Sequence, residues 1–255
     1  FIKIMTNFDY LSPFFKNGKT CILAYDHGFE HGILDFNDKN IDPNYVIDLA
    51  VAINFSGVVL QKGVAEKYYS GTNYEKQIPL IIKLNGKTNL LKTNDPYASS
   101  NCSVGYAKEL GAKAVGYTIY LGSKYEAQMF QEFGKIEEEA HRLNLGVIAW
   151  LYPAHTQDLN NFQFNGYLGR LGLELGADLI KVKYSNFKAM KKLVQAAGQA
   201  KVVLSGGEKL SEKQFLLRLE EALKAGCCGV TIGRNVWQRD NALEFTNQIQ
   251  KIIFS

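Results

Sequence analysis

The chain has 255 residues, of which 46% are hydrophobic and 21% charged, with a formal net charge of +4. That is an ordinary globular composition with material for a large core, close to the ~250 residues of one eight-stranded α/β barrel. Lysine and arginine are interspersed with acidic residues, which argues against a nucleic-acid-binding basic run. No uninterrupted run of 18 apolar residues is present to span a membrane.

Residues 1–20 read as a polar-aromatic extension that ends in the turn signal Lys16-Asn17-Gly18-Lys19. From there strands and helices alternate without interruption. Short apolar, β-branched runs predict strands over Cys21–Tyr25, Gly57–Gln61, Pro79–Leu84, Ala114–Tyr120, Gly146–Tyr152, Asp178–Tyr184, Lys201–Leu204 and Gly229–Ile232. Spacing of 3.6 predicts helices over 43–54, 63–69, 101–110, 124–143, 166–175, 186–198, 211–225 and 240–254. Glycines at Gly111, Gly176 and Gly226 stand where helices stop. Eight strands alternating with eight helices predict an α/β (β/α)8 barrel, residues 1–255 forming one domain. A doubly wound sheet is disfavoured, since no Gly-x-Gly-x-x-Gly fingerprint is present. Cys21, Cys102, Cys227 and Cys228 form no Cys-x-x-Cys pair and read as reduced core residues of a cytosolic protein.

The sixth predicted strand carries an anomaly. A strand buried on both faces should stay apolar, yet this one ends in Lys181 and Lys183, which share a face at i and i+2. A free lysine is only ~1 part in 2,500 neutral at pH 7. A dry site and a neighbouring cation lower its pKa and create an amine able to attack a carbonyl carbon. Polar residues follow the other strands in the same register. They include Asp26-His27, Lys62, Lys83 to Lys87, Trp150 to Tyr152, Ser205-Gly206-Gly207 and Gly233-Arg234. In a barrel all of these meet at the carboxyl-end mouth, where such enzymes keep their chemistry.

Ser205 to Gly207 and Gly233-Arg234 follow strands seven and eight, the usual phosphate site of barrels; two tight turns are the plainer alternative. Tyr152 ends the strand beside Lys181 and is placed either to move protons or simply to pack. The run Asp26-His27-Gly28-Phe29-Glu30-His31 contains metal-ligand types, but Asp26 and His27 point oppositely on a strand, so no metal site is expected. Asp26 fits better as a carboxylate that orients substrate hydroxyls or the lysine. Asn85-Gly86-Lys87-Thr88 ends like a phosphate loop, but Ile81 stands where that pattern needs glycine.

As a set, these motifs resemble the archaeal-type class I fructose-bisphosphate aldolases of the deoxyribose-phosphate aldolase superfamily. The matching stretches are Leu23 to Gly32, Ala65-Glu66-Lys67-Tyr68-Tyr69, Lys83 to Thr88, Val115 to Tyr120, Lys181-Val182-Lys183-Tyr184 and Gly233 to Arg239. The resemblance implies that Lys181 forms the Schiff base and Tyr152 is the general acid/base, with Trp150 and Asp26 lining the substrate site. It implies phosphate binding by Ser205, Gly206, Gly207, Gly233 and Arg234, a positive field from Lys83 and Lys183, and a substrate contact from His27. It further implies reversible cleavage of fructose 1,6-bisphosphate in glycolysis or gluconeogenesis, no metal or other cofactor, a cytoplasmic location, and a decamer-like homo-oligomer. The partner is then a small sugar phosphate, with no nucleic acid and no membrane.

This chain departs from the family's pattern at Pro153-Ala154-His155, where the family continues Pro-Arg-Gly, and at Lys62, where an arginine is common. Both positions are expected to meet the second phosphate, and a lysine there offers a point charge instead of a bidentate fork. The alternatives are a lysine-dependent enzyme of another sugar phosphate and a non-catalytic sugar-phosphate binder.

Overall fold

Eight parallel strands close into a barrel: β1 (Thr20–Ala24), β2 (Gly57–Gln61), β3 (Leu80–Lys83), β4 (Ala114–Leu121), β5 (Gly146–Pro153), β6 (Leu179–Val182), β7 (Lys201–Ser205) and β8 (Gly229–Ile232). The computed structural model describes residues 9–155 and 162–255. Neighbours in the ring are neighbours in sequence, and β1 closes it on β8, with Thr20 opposite Gly229 and Leu23 opposite Ile232. Connections of this kind need a crossover, and helices supply it: Pro43–Ala52, Lys62–Tyr68, Val104–Glu109, Glu126–Arg142, Phe162–Glu174, Phe187–Ala197, Glu212–Lys224 and Ala242–Phe254. Among the described residues no helix is long and apolar enough to cross a membrane.

Strand alternation divides the core into two layers. Ile22, Ala24, Val59, Ile81, Ile148, Leu179 and Val203 fill the barrel, while Leu23, Val58, Ile82, Ile180 and Val202 face the surrounding helices. Local chemistry fixes where helices begin and end. Asp42, Ser103, Asn186 and Ser211 cap N-termini by accepting from backbone amides, and Gly176 (φ +81°) ends the helix before β6 in a conformation that only glycine adopts freely.

Part of the predicted extension belongs to the barrel. Residues 1–8 lie outside the described residues, but Leu11 and Phe14 are buried in the inner layer against the strand starts and plug its amino end. Gly57 and Gly146 make room for them: a Cβ there would lie 2.7 Å from the Phe14 ring and 2.9 Å from Leu11 Cδ2.

Elsewhere the structure differs from the predicted elements at the mouth. The segment after β1 is a short helix, His27–His31, so Asp26 and His27 do not point to opposite faces of a strand as expected but line the same cavity. A two-stranded ribbon pairs Asn85–Gly86 with Ser99–Ser100. The sixth strand stops at Val182, one residue before Lys183. Propensity did not signal the first two because tertiary bonds stabilise them. Asn85 donates to the carbonyls of Ala98 and Thr118 and accepts from the Thr118 amide, which pins the ribbon to β4.

Candidate active site

The carboxyl ends of the strands surround a cavity of about 380 Å³. Asp26, His27, Lys83, Trp150, Tyr152, Lys181, Lys183, Ser205, Gly207 and Arg234 all line it, joined by Glu30, Lys87, Thr118 and Tyr120. Residues separated by up to 208 positions in the chain thus reach one space because they lie in the carboxyl halves of seven strands of one ring or just after them.

Lys181 lies on the floor, only 5% exposed. It pairs across the ladder with Trp150 on β5 and Val203 on β7, and its Nζ lies 4.9 Å from the centroid of the Trp150 ring. Burial pulls its pKa down to about 8; Asp26 and Glu30 pull it back up, and the ammonium of Lys83 pushes it further down. At that value roughly one amine in ten is neutral at pH 7, about 200 times the fraction of a free lysine.

Lys83 also approaches this indole, its Nζ 5.5 Å from the ring centroid, and is 2% exposed. A buried ammonium requires carboxylates. Glu30 Oε1 lies 3.3 Å and Asp26 Oδ2 3.9 Å from Lys83 Nζ. The helix His27–His31, with Asp26 as its N-cap, explains how Glu30 arrives beside Asp26, since i and i+4 share a helix face. Burial opposes the charge on Asp26, yet Lys181, His27 and Lys83 together hold its carboxyl below the usual range. It is therefore a carboxylate at neutral pH. Burial pulls His27 down to about 4 against the attraction of Asp26, so this imidazole is neutral.

Tyr152 enters from β5, paired with Tyr120 on β4. Its hydroxyl is 3.4 Å from that of Ser205, and Lys183 Nζ lies 5.4 Å from its ring centroid. Burial pushes the phenol well above its ordinary pKa, Ser205 and Arg234 opposing and Asp26 and Glu30 adding. The phenol is protonated at rest. Arg234 lines the next part of the wall, its Nη1 3.4 Å from Asp35 Oδ2. Two buried donors of the walls, Trp150 Nε1 and Arg234 Nε, have no acceptor among the described residues. Such atoms suit a ligand rich in oxygen.

Three of the predicted positions lie elsewhere. Lys62 lines a separate groove with Ser100, Asn101, Ser103 and Tyr106, outside the cavity. Gln61 occupies the inward register opposite Lys83, so the next residue turns outward and opens the helix Lys62–Tyr68. Gly206 does not line the cavity; its amide donates to Thr231 O, continuing the barrel ladder. Gly233 lies beneath His27, where a Cβ would fall 2.5 Å from Cε1 of that imidazole. Its glycine is needed for the ring above it. Gly207 (φ +66°) does line the cavity, with open space about its Cα.

Sequence reasoning missed Gly116 and, though it placed Asn235 after the eighth strand at the mouth, gave that residue no role. Asn235 is buried and donates to the carbonyls of Gly206 and Glu208 while accepting from the Leu210 amide, which ties the β7 loop to the β8 loop. A Cβ on Gly116 would fall 1.4 Å from an indole carbon of Trp150, so this glycine provides the space for the ring that both lysines approach. Its only sequence signal was a glycine inside a strand, which marks close approach.

A lysine kept partly neutral can add to a carbonyl, and at the carboxyl mouth of a barrel that is the chemistry of the Schiff-base lyases, the class this site fits. Comparison with known proteins makes it narrower. The chain belongs to the DeoC/LacD family of aldolases, whose profile matches residues 20–239. It is 44% identical over 251 residues to the class 1 fructose-bisphosphate aldolase of Thermoproteus tenax, covering 96% of this chain and 93% of that one. It is 41% identical to the corresponding enzyme of Halobacterium salinarum over 249 residues, covering 95% and 93%. The barrel also superposes, with a TM-score of 0.89 and 42% identity over 96% of this chain and 98% of the other, on an archaeal fructose-1,6-bisphosphate aldolase. In that structure the catalytic lysine is covalently bound to the carbinolamine intermediate of the substrate.

Proposed function

We propose that this chain is a class I fructose-bisphosphate aldolase. It cleaves fructose 1,6-bisphosphate reversibly to dihydroxyacetone phosphate and glyceraldehyde 3-phosphate, with Lys181 as the Schiff-base residue. The observation that carries the reading is the placement of Lys181, buried at the mouth of the barrel with its Nζ 4.9 Å from the Trp150 ring centroid and a second buried lysine, Lys83, 5.5 Å from the same centroid; burial and that like charge lower its pKa.

Neutral Lys181 adds to the C2 carbonyl and forms a carbinolamine. Tyr152, protonated at rest, donates to the departing hydroxyl, so water and an iminium form and the tyrosine becomes a phenolate. The iminium draws the C3–C4 bonding pair into itself as the phenolate takes the C4 hydroxyl proton. This releases the aldehyde and leaves a neutral enamine. Tyr152 then returns the proton to C3, and water releases the ketone. The iminium is itself the electron sink, so the reaction needs no metal. Asp26 accepts from a substrate hydroxyl, and Arg234 with the loop through Ser205 and Gly207 meets the phosphate next to the carbonyl.

The same reading covers the rest of the chain's biology. It works as one catalytic domain, as a homo-oligomer in the cytoplasm, in glycolysis or gluconeogenesis; four buried free thiols support a reducing compartment.

Borohydride trapping with dihydroxyacetone phosphate, followed by peptide mapping, tests the function. A single adduct on Lys181 is expected, unchanged by EDTA. An adduct on Lys183 would move the chemistry one position outward, and the absence of any adduct would overturn the reading in favour of a binder.

A further inference from the structure

We propose that Lys87, assisted by Lys183, forms the subsite for the phosphate remote from the reacting carbonyl. The inference rests on the aldolase reading above. A hexulose bisphosphate has an anionic group at each end of its carbon chain, and each must be met by a cation or amide when the cavity strips its water. Arg234 and Gly207 serve one end, on the β7–β8 side. Lys62 does not reach the cavity, so the other end needs a different cation.

The order of the strands says where to look. In an eight-stranded ring β3 and β4 face β7 and β8 across the mouth. Lys87 follows the ribbon residue Gly86 on that opposite wall, and its Nζ lies 5.9 Å from the centroid of the Tyr120 ring at the end of β4. Lys183 flanks it on the β6 side, over Tyr152. Both line the cavity.

Charge separates these lysines from the other cations there. Apart from the reacting Lys181 on the floor, Lys83 and Arg234 each have a carboxylate within 4 Å, whereas Lys87 and Lys183 have none among the described residues. Cationic side chains without neutralising partners on a concave wall concentrate positive potential, which is the electrostatic requirement for an anion site. The backbone that presents Lys87 is firmly held. Two residues earlier, the buried Asn85 side chain makes three hydrogen bonds to Ala98 and Thr118, and Gly86 packs so closely on Phe29 that a Cβ would lie 2.3 Å from that ring. Lys87 is thus a placed charge, and it recognises phosphate as a point charge without bidentate geometry.

The test compares kcat/KM for fructose 1,6-bisphosphate and fructose 1-phosphate, which lacks the remote group, in wild type, Lys87→Met and Lys87→Arg. The preference for the bisphosphate is expected to fall ~10–100-fold in Lys87→Met, the loss typical of one charge-assisted contact, and to recover largely in Lys87→Arg. Thermal melting establishes that both variants fold. An unchanged preference would overturn the subsite, whether the two activities are retained or fall together. A wild-type protein that traps no dihydroxyacetone phosphate would overturn the aldolase reading, and the subsite with it.

Discussion

Lys181 is depressed by two influences of the same sign, burial and the like charge of Lys83, and two carboxylates oppose them. The charged amine is the disfavoured form, so the reactive fraction grows as pH rises. The rate of adduct formation with dihydroxyacetone phosphate should increase nearly tenfold per pH unit well below about 8 and level off above it. Lys83→Met removes the like charge and leaves Asp26 and Glu30 facing Lys181 alone. Both changes stabilise the ammonium, so the inflection should move to higher pH. A downward shift, or none, would show that Lys83 does not set the reactivity of its neighbour.

At the scale of elements, the site depends on how neighbouring strands are registered. Gly116 on β4 is paired with Lys83 on β3 and Ile148 on β5, and the Trp150 ring lies over its bare α-carbon. Gly116→Ala cannot be accommodated by a small adjustment, since the new methyl would occupy the indole. Overpacking of this kind typically costs ~1–3 kcal/mol. Displacing the indole would also remove the ring that both lysines pack against. We expect a lower melting temperature together with slower trapping by Lys181. A variant that loses stability while trapping at the wild-type rate would show that the indole is dispensable for the chemistry.

The whole molecule is polarised along the barrel axis, with stability devices at the amino end and chemistry at the carboxyl end. Below the plug of Leu11 and Phe14, His141 stands between Asp178 (3.0 Å) and Glu137 (2.9 Å), with Tyr10 stacked on its ring at 4.3 Å. Burial lowers the pKa of His141, but the hydrogen bond and charge of Asp178 and the charge of Glu137 outweigh it, and the net shift is upward. A folded pKa above the unfolded one means that the clamp contributes fully below about pH 6.5 and is lost as pH rises through the raised value. The melting temperature of wild type should therefore exceed that of His141→Gln most at pH 6 and converge towards it above that range. A gap that does not change with pH would assign His141 to packing alone.

What the sequence alone determined is whatever depends on local spacing. Hydrophobic period and glycine stops marked the eight strand-and-helix units. The i, i+2 spacing predicted a shared side for Lys181 and Lys183, and both line the cavity although the strand itself stops at Val182. The positions of Asp26, Tyr152 and Arg234 were legible for a like reason, because each sits near or just beyond a strand end, whereas Trp150 lies inside a strand that runs on to Pro153. Tertiary structure decided which of the neighbouring polar residues turn inward. One residue of register separates inward Gln61 from outward Lys62, and a ribbon pinned by Asn85 brings Lys87 to the wall, where its motif had suggested only a failed phosphate loop. Glu30 needed a helical turn that its five residues could not support alone. Gly116 acquires its meaning from Trp150, 34 positions away, and Gly233 from His27. Side chains meet across strands only after the ring has closed, and no periodicity within a segment encodes which ones they will be.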